Sequence, residues 1–124
     1  MSAKVVKLCN MDQLADGTSR GFDPLGEGRD TLFIVRRGKV VKAYINSCPH
    51  WHGAPMAWRK DAYLTSDKKR IACYGHEAEF DIENGECLSG PCLGQSLTAL
   101  PIHVSLNNTL YLLLKDLQHK NTLL

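Results

Sequence analysis

Two short stretches concentrate the residues in this chain that can hold a metal. The first is Cys48-Pro49-His50 and the second is Cys73-Tyr74-Gly75-His76. Each supplies one thiolate and one imidazole. Side chains at i and i+2 of an extended segment point the same way, so Cys48 and His50 can address one centre. The two-residue spacer between Cys73 and His76, with Gly75 inside it, makes a tight knuckle. Two such loops can close around a single metal centre. Tetrahedral zinc accepts a Cys2His2 set. So does a two-iron centre in which two histidines replace two cysteines on one iron. A zinc finger places its histidines together on a helix, whereas here each histidine is paired with its own cysteine in a separate loop.

The remaining candidates read as structural. His52 follows a better-placed ligand by two residues and is expected to be a polar loop residue. Along 101–106, Ile102, Val104 and Leu106 alternate with Pro101, His103 and Ser105, which puts His103 on the wetter face of a strand. His119 falls in the tail. Cys9 reads as a small buried hydrophobe. Cys87 and Cys92 flank Leu88-Ser89-Gly90-Pro91, a segment that can reverse direction. A disulfide there needs Cα atoms within about 7 Å, and a reducing compartment would disfavour it.

Composition sets the frame. A chain of 124 residues, 44 % hydrophobic and 23 % charged, suits one globular domain with a real core. The formal charge of +2, without a basic stripe, argues against nucleic acid as a partner. Lys4 and Lys7 interrupt the N-terminal stretch before an apolar run reaches signal-peptide length. The apolar run from Leu110 to Leu114 is far too short to cross a bilayer. The expectation is a soluble, cytoplasmic protein with no membrane partner. Five cysteines, an odd count in such a chain, point to metal or redox chemistry.

The elements that must carry the two loops are short strands. Ala3 to Leu8 suits a strand, and Asn10 can cap a helical turn over Met11–Ala15 that ends at Gly17. Gly21 to Arg29, with three glycines and a proline, reads as a loop. Thr31–Val35 and Val40–Ile45, on either side of Arg37-Gly38-Lys39, form a hairpin. Tyr63–Ser66 and Arg70–Cys73 flank the polar turn Asp67-Lys68-Lys69. Glu79–Ile82 leads into the turn Glu83-Asn84-Gly85. Leu100–Leu106 and Thr109–Leu114 close around Asn107-Asn108. A frayed tail is expected from Lys115. Many short strands with closely spaced turn signals predict an all-β domain.

Cys-x-His followed by Cys-x-x-His resembles the Rieske family. The likeness continues through Phe80-Asp81-Ile82-Glu83-Asn84-Gly85, through Gly90-Pro91, and through Leu100-Pro101 and the closing hairpin, roughly Leu32 to Leu114. The resemblance implies stacked antiparallel sheets with a small cluster-binding subdomain, about 46–82, on a larger β base, all within a single domain over 1–124. It implies one [2Fe–2S] cluster, held by Cys48 and Cys73 on the inner iron and by His50 and His76 on the outer one. It implies no catalytic residues of the chain's own. The role is that of an electron carrier between redox partner proteins: a reductase and a terminal oxygenase or reductase. A ferredoxin feeding an oxygenase is the first reading. The small subunit of a reductase such as nitrite reductase is the second, and a zinc-stabilised binding module the third. The family's membrane-anchored members carry a disulfide inside the ligand loops, for which this chain has no spare cysteine. Tyr74 stands where many members have proline, Glu77 stands where glycine is usual, and the stretch from Trp51 to Ala72 is longer than typical. High-potential members place hydroxyls two and four residues past the second histidine; here those positions are Ala78 and Phe80. A potential near about −150 mV is the expectation. Trp51, Ala54, Pro55 and Met56 are expected to form an apolar collar around the histidines.

Overall fold

The run Leu32-Phe33-Ile34-Val35 has no polar residue at alternate positions, the signature of a strand covered on both faces. That strand is the middle of the molecule. The computed structural model describes residues 4–49, 56–57, 60–74 and 77–117. They form three antiparallel sheets. The central sheet orders β2 (Thr18–Phe22), β3 (Leu32–Arg37), β4 (Val40–Ile45) and β8 (Ala99–Leu100). A second sheet orders β1 (Val5–Asn10), β10 (Thr109–Leu113) and β9 (His103–Val104). The third orders β5 (Ile71–Cys73), β6 (Ala78–Phe80) and β7 (Cys87–Ser89).

Successive β3 residues serve two different cores. Leu32 and Ile34 pack with Ala43, Ile45, Leu100, Leu110 and Leu112. Phe33 and Val35 pack on the other side with Tyr44, Ile71, Phe80 and both Cys48 and Cys73. Cys9 lies in the first core, 7 % exposed, as the small hydrophobe it was expected to be. The architecture is all-β, with stacked antiparallel sheets around a buried central layer.

The expected β3–β4 hairpin forms, with Leu32 opposite Ile45 through Arg37 opposite Val40. Asn10 caps the turn after β1 through a capping box with Gln13, but the turn is a short 3-10 one, Met11–Gln13. Asn108 takes φ 64 in the last hairpin, as its turn chemistry allows. Other expectations fail for tertiary reasons. β2 is a strand through Gly21 and Phe22, where a loop was expected; its ladder to β3 supplies what a glycine-weakened sequence lacks. The Leu100–Leu106 strand divides into β8 and β9. Pro101 lacks the N–H to continue a ladder, and the chain passes from one sheet to the other. His103 is not on the wetter side: it lies opposite Tyr111, stacks on that ring with centroids 5.3 Å apart, and is half-buried with its Nε2 shielded from solvent. Val104 and Leu106 are 52 % and 107 % exposed, because β9 is an edge strand and Leu106 sits in its turn. Residues 114–117 form one helical turn rather than a fraying tail, and Leu117 is buried in the first core.

The Tyr44 side chain ties the central sheet to the 81–97 segment. The Tyr44 hydroxyl donates to the Ile82 carbonyl at 2.7 Å. The Tyr44 ring lies against Gly85, at φ 75, where a Cβ would stand 2.8 Å from Tyr44 Cε1 and 3.2 Å from Leu97 Cβ. Gly85→Ala therefore combines a left-handed backbone with a clash, and should cost about 2–3 kcal/mol. Urea unfolding checks this; a midpoint equal to the parent's would mean the Tyr44 cradle is looser than described.

Candidate metal centre

β4 ends at Ile45, and the polar pair Asn46-Ser47 leads directly into the first candidate ligand. Asn46 is 5 % exposed and Cys48 is fully buried. A buried amide must find partners for both its ends, and Asn46 finds three. Its Nδ2 donates to the Asp30 carbonyl at 2.9 Å and to the Tyr63 hydroxyl at 3.3 Å. Its Oδ1 accepts the Met56 N–H at 3.0 Å. Met56 in turn accepts, through its carbonyl, the Tyr74 N–H at 3.0 Å. Tyr74 directly follows Cys73. One chain of hydrogen bonds thus runs from the residue two before Cys48, through the return end of the first loop, to the second loop.

The Tyr63 hydroxyl is fixed from behind. Its ring stacks on Phe33, centroids 4.2 Å apart and planes 7° off parallel. Burial, followed by the charges of Asp30 and Asp61, pushes its pKa well above the ordinary tyrosine value, so the hydroxyl stays protonated. The strap over residues 60–63 is latched to β2. Lys60 Nζ donates to the Gly21 carbonyl at 2.8 Å and pairs with Asp30 at 3.0 Å and Asp61 at 3.2 Å. Asp61 accepts the Gly21 N–H at 2.8 Å, and Ser19 Oγ donates to the Asp61 carbonyl at 2.7 Å.

Cys73 ends β5, 1 % exposed, and its register partner across the ladder is Ala78. The structure therefore brings both candidate thiols into one buried core. Two buried thiols without a disulfide, on loops hydrogen-bonded to each other, are a donor pair that suits a cluster of iron and sulfide. His50 and His76 lie outside the described residues, as do His52, His119, Trp51, Ala54 and Pro55. Among the described residues no group of three His, Cys, Asp or Glu side chains comes together as a metal site. Met56, expected in an exposed collar, is wholly buried, because its backbone serves both loops. Beside Cys73 the exposed surface is Tyr74, at 51 %, together with Glu77.

A family model of the Rieske [2Fe–2S] domain matches residues 4–109. The chain belongs to the Rieske family. Among solved structures it is similar to the ferredoxin of carbazole 1,9a-dioxygenase from Nocardioides aromaticivorans IC177, at 26 % identity over 89 % of this chain and 98 % of that one, TM-score 0.67. It is similar to a Sphingomonas yanoikuyae B1 ferredoxin, at 20 % identity over 89 % and 98 %, TM-score 0.66. It shares its fold with a chain assigned as the NADH-dependent nitrite reductase small subunit of Mycobacterium tuberculosis, at 19 % identity over 90 % and 96 %, TM-score 0.62. No curated protein matches it. Membership of the Rieske family decides the metal: a [2Fe–2S] cluster, not zinc.

Glu77, where glycine is usual in the family, takes φ 55. That left-handed backbone is the reason glycine suits the position. Cys87 and Cys92 also lie in the core that holds Cys48 and Cys73. The Cys92 thiol is pushed up to about 12, by burial first, then by its contact with Cys87 and the neighbouring charges of Cys87 and Cys48.

The polar bridge was not read from the sequence. The available signal was Asn46-Ser47, a polar pair closing an apolar strand immediately before a ligand. Asn46→Ala would leave the Met56 N–H and the Asp30 carbonyl without their partner, at about 1–3 kcal/mol each. We expect a stability loss of about 3 kcal/mol and lower iron occupancy after identical reconstitution. Parent-like iron content in Asn46→Ala would show that the loops are positioned without this amide.

Proposed function

We propose that this Rieske protein is a one-electron carrier, the ferredoxin component that passes electrons from a reductase to an oxygenase or a similar oxidoreductase. Cys48, His50, Cys73 and His76 hold its cluster, within one domain over 1–124 whose cluster-binding part spans about 46–82. The single observation that carries the reading is the meeting of Cys48 and Cys73 in one buried core, on loops joined through Met56. The likeness to oxygenase ferredoxins supports the choice of partner. Nitrite reductase small subunits share the fold, which keeps a reductase subunit as the second reading; a stable stoichiometric complex with a large reductase would select it over a transient carrier. No helix among the described residues is long and apolar enough to cross a membrane; a cytoplasmic location is part of this proposal.

When bound, the cluster supplies a site that takes up and releases one electron at a time. The chain's own residues seat that site and set its energy. Replacing any of Cys48, His50, Cys73 or His76 by alanine should abolish the visible absorption and the EPR signal of the reduced protein. His52→Ala and His103→Ala should keep both. Loss of the cluster in His52→Ala with retention in His50→Ala would overturn the ligand register.

Ala78 and Phe80 are both fully buried on β6, with Ala78 opposite Cys73 in the ladder. Neither side chain can donate a hydrogen bond. A donor to a cluster or thiolate sulfur favours the more negative, reduced state, and its absence holds the potential low. Glu77, exposed on the same loop, adds negative charge. Ala78→Ser and Phe80→Tyr together should therefore raise the potential by several tens of millivolts, since about 1.4 kcal/mol is about 59 mV for one electron. Glu77→Gln should raise it less, an exposed charge being screened. Protein-film voltammetry measures all three; an unchanged potential with the cluster intact would remove Ala78 and Phe80 from the tuning positions.

A further inference from the structure

Outside the four ligand positions, the second core holds two more cysteines that electron carriage does not use. Cys87 ends a ladder with Phe80 on β7, and Cys92 follows the reversal at Gly90-Pro91. Their Sγ atoms are 3.2 Å apart, and they are 3 % and 1 % exposed. The segment is closed by its own backbone. The Cys87 N–H donates to the Gln95 carbonyl, and the Gln95 N–H to the Cys92 carbonyl, each at 2.9 Å. We propose that Cys87 and Cys92 are a second redox centre, a dithiol that closes reversibly to a disulfide and alters the packing beneath the ligand loops.

Geometry favours closure. A disulfide holds its sulfurs about 2.05 Å apart, so the pair needs to close by only about 1 Å, within a segment already tied at both ends. Access needs little opening, since Leu88, Gly90, Pro91, Leu93 and Gly94 around the pair are all exposed. By contrast Cys9 sits in the other core. The oxidant is a small or protein disulfide, RSSR. One cysteine sulfur attacks RSSR, giving a mixed disulfide and one RSH. The other then displaces the second RSH, so that two S–H bonds become one S–S bond and two electrons and two protons leave on the two thiols.

The pair is mechanically joined to the second ligand loop through Gly90. At φ 103, a Cβ on Gly90 would stand 2.8 Å from Ala78 Cα and 3.1 Å from the Glu77 carbonyl oxygen. The 88–92 segment therefore lies directly on the residues that follow His76. Cys92 and Cys48 also lie in the same buried core. Closing the disulfide removes two S–H dipoles beside this loop and shortens the segment that rests on Ala78.

The test uses the iron-loaded protein, equilibrated in glutathione buffers from fully reduced to fully oxidised. Acid quenching, alkylation and peptide mass spectrometry read the thiols, and visible absorption reads the cluster. The expected result is loss of both alkylatable thiols at Cys87 and Cys92 at the oxidised end, recovery with dithiothreitol, and unchanged absorption throughout. Voltammetry on the two forms should show a reversible shift of the cluster potential. Thiols that stay alkylatable at every ratio, or that are lost only as the cluster bleaches, would overturn the redox pair. A potential identical in both forms would overturn its coupling to the loop. The thiol readout does not depend on which residues hold the cluster.

Discussion

The side-chain amide of Asn46 stands where two requirements meet. A cluster shared by two loops needs those loops held at fixed separation, and the loops leave different hairpins. A buried amide with every hydrogen-bonding group satisfied has one arrangement, and disturbing any member leaves a polar group stranded in an apolar core. Asn46 uses its donors on Asp30 and Tyr63 and its acceptor on Met56, and the Met56 carbonyl passes the constraint to Tyr74. Position is thereby transmitted through backbone groups, which have little freedom to relax. The strap at 60–63, pinned to β2 by Lys60, Asp61 and Ser19, holds Tyr63 in reach of that amide.

The layered fold supplies the rigid ground for this network. β3 and β4 face one core toward β10 and another toward β5–β7, so the sheet that carries Asn46 at its end is covered on both sides. Close packing of such an interior resists small displacements. The Phe33–Tyr63 stack and the Tyr44–Gly85 contact extend the same rigidity to the segments on either side of the ligand loops. Electron transfer gains from a site that does not rearrange when its charge changes, and the ground here is built to stay still.

Much of this was legible in the sequence, and the rest was hidden for identifiable reasons. The β3–β4 hairpin, the Asn10 cap and the Asn108 turn are local signals carried by residue type and spacing. Gly21 masks β2, a strand that exists only through its ladder to β3. Leu106 was misplaced because alternation says which face a residue takes, not whether the edge of a sheet is covered. Leu117 packs in the first core and the Met56 backbone bonds to both candidate loops, placements that depend on partners far along the chain. The role of Asn46 is hidden from the sequence because its three partners lie 10 to 17 residues away, a distance that no local pattern encodes.

In the proposed centre each loop contributes one cysteine and one histidine to the same cluster. Pulsed EPR on the reduced protein, labelled with nitrogen-15 in histidine alone, tests it most directly. Strong couplings from two histidine nitrogens are expected, with His50→Cys and His76→Cys, where they retain a cluster, each losing a different one. A reduced iron–sulfur signal without histidine nitrogen coupling, or with one that persists in both variants, would contradict it.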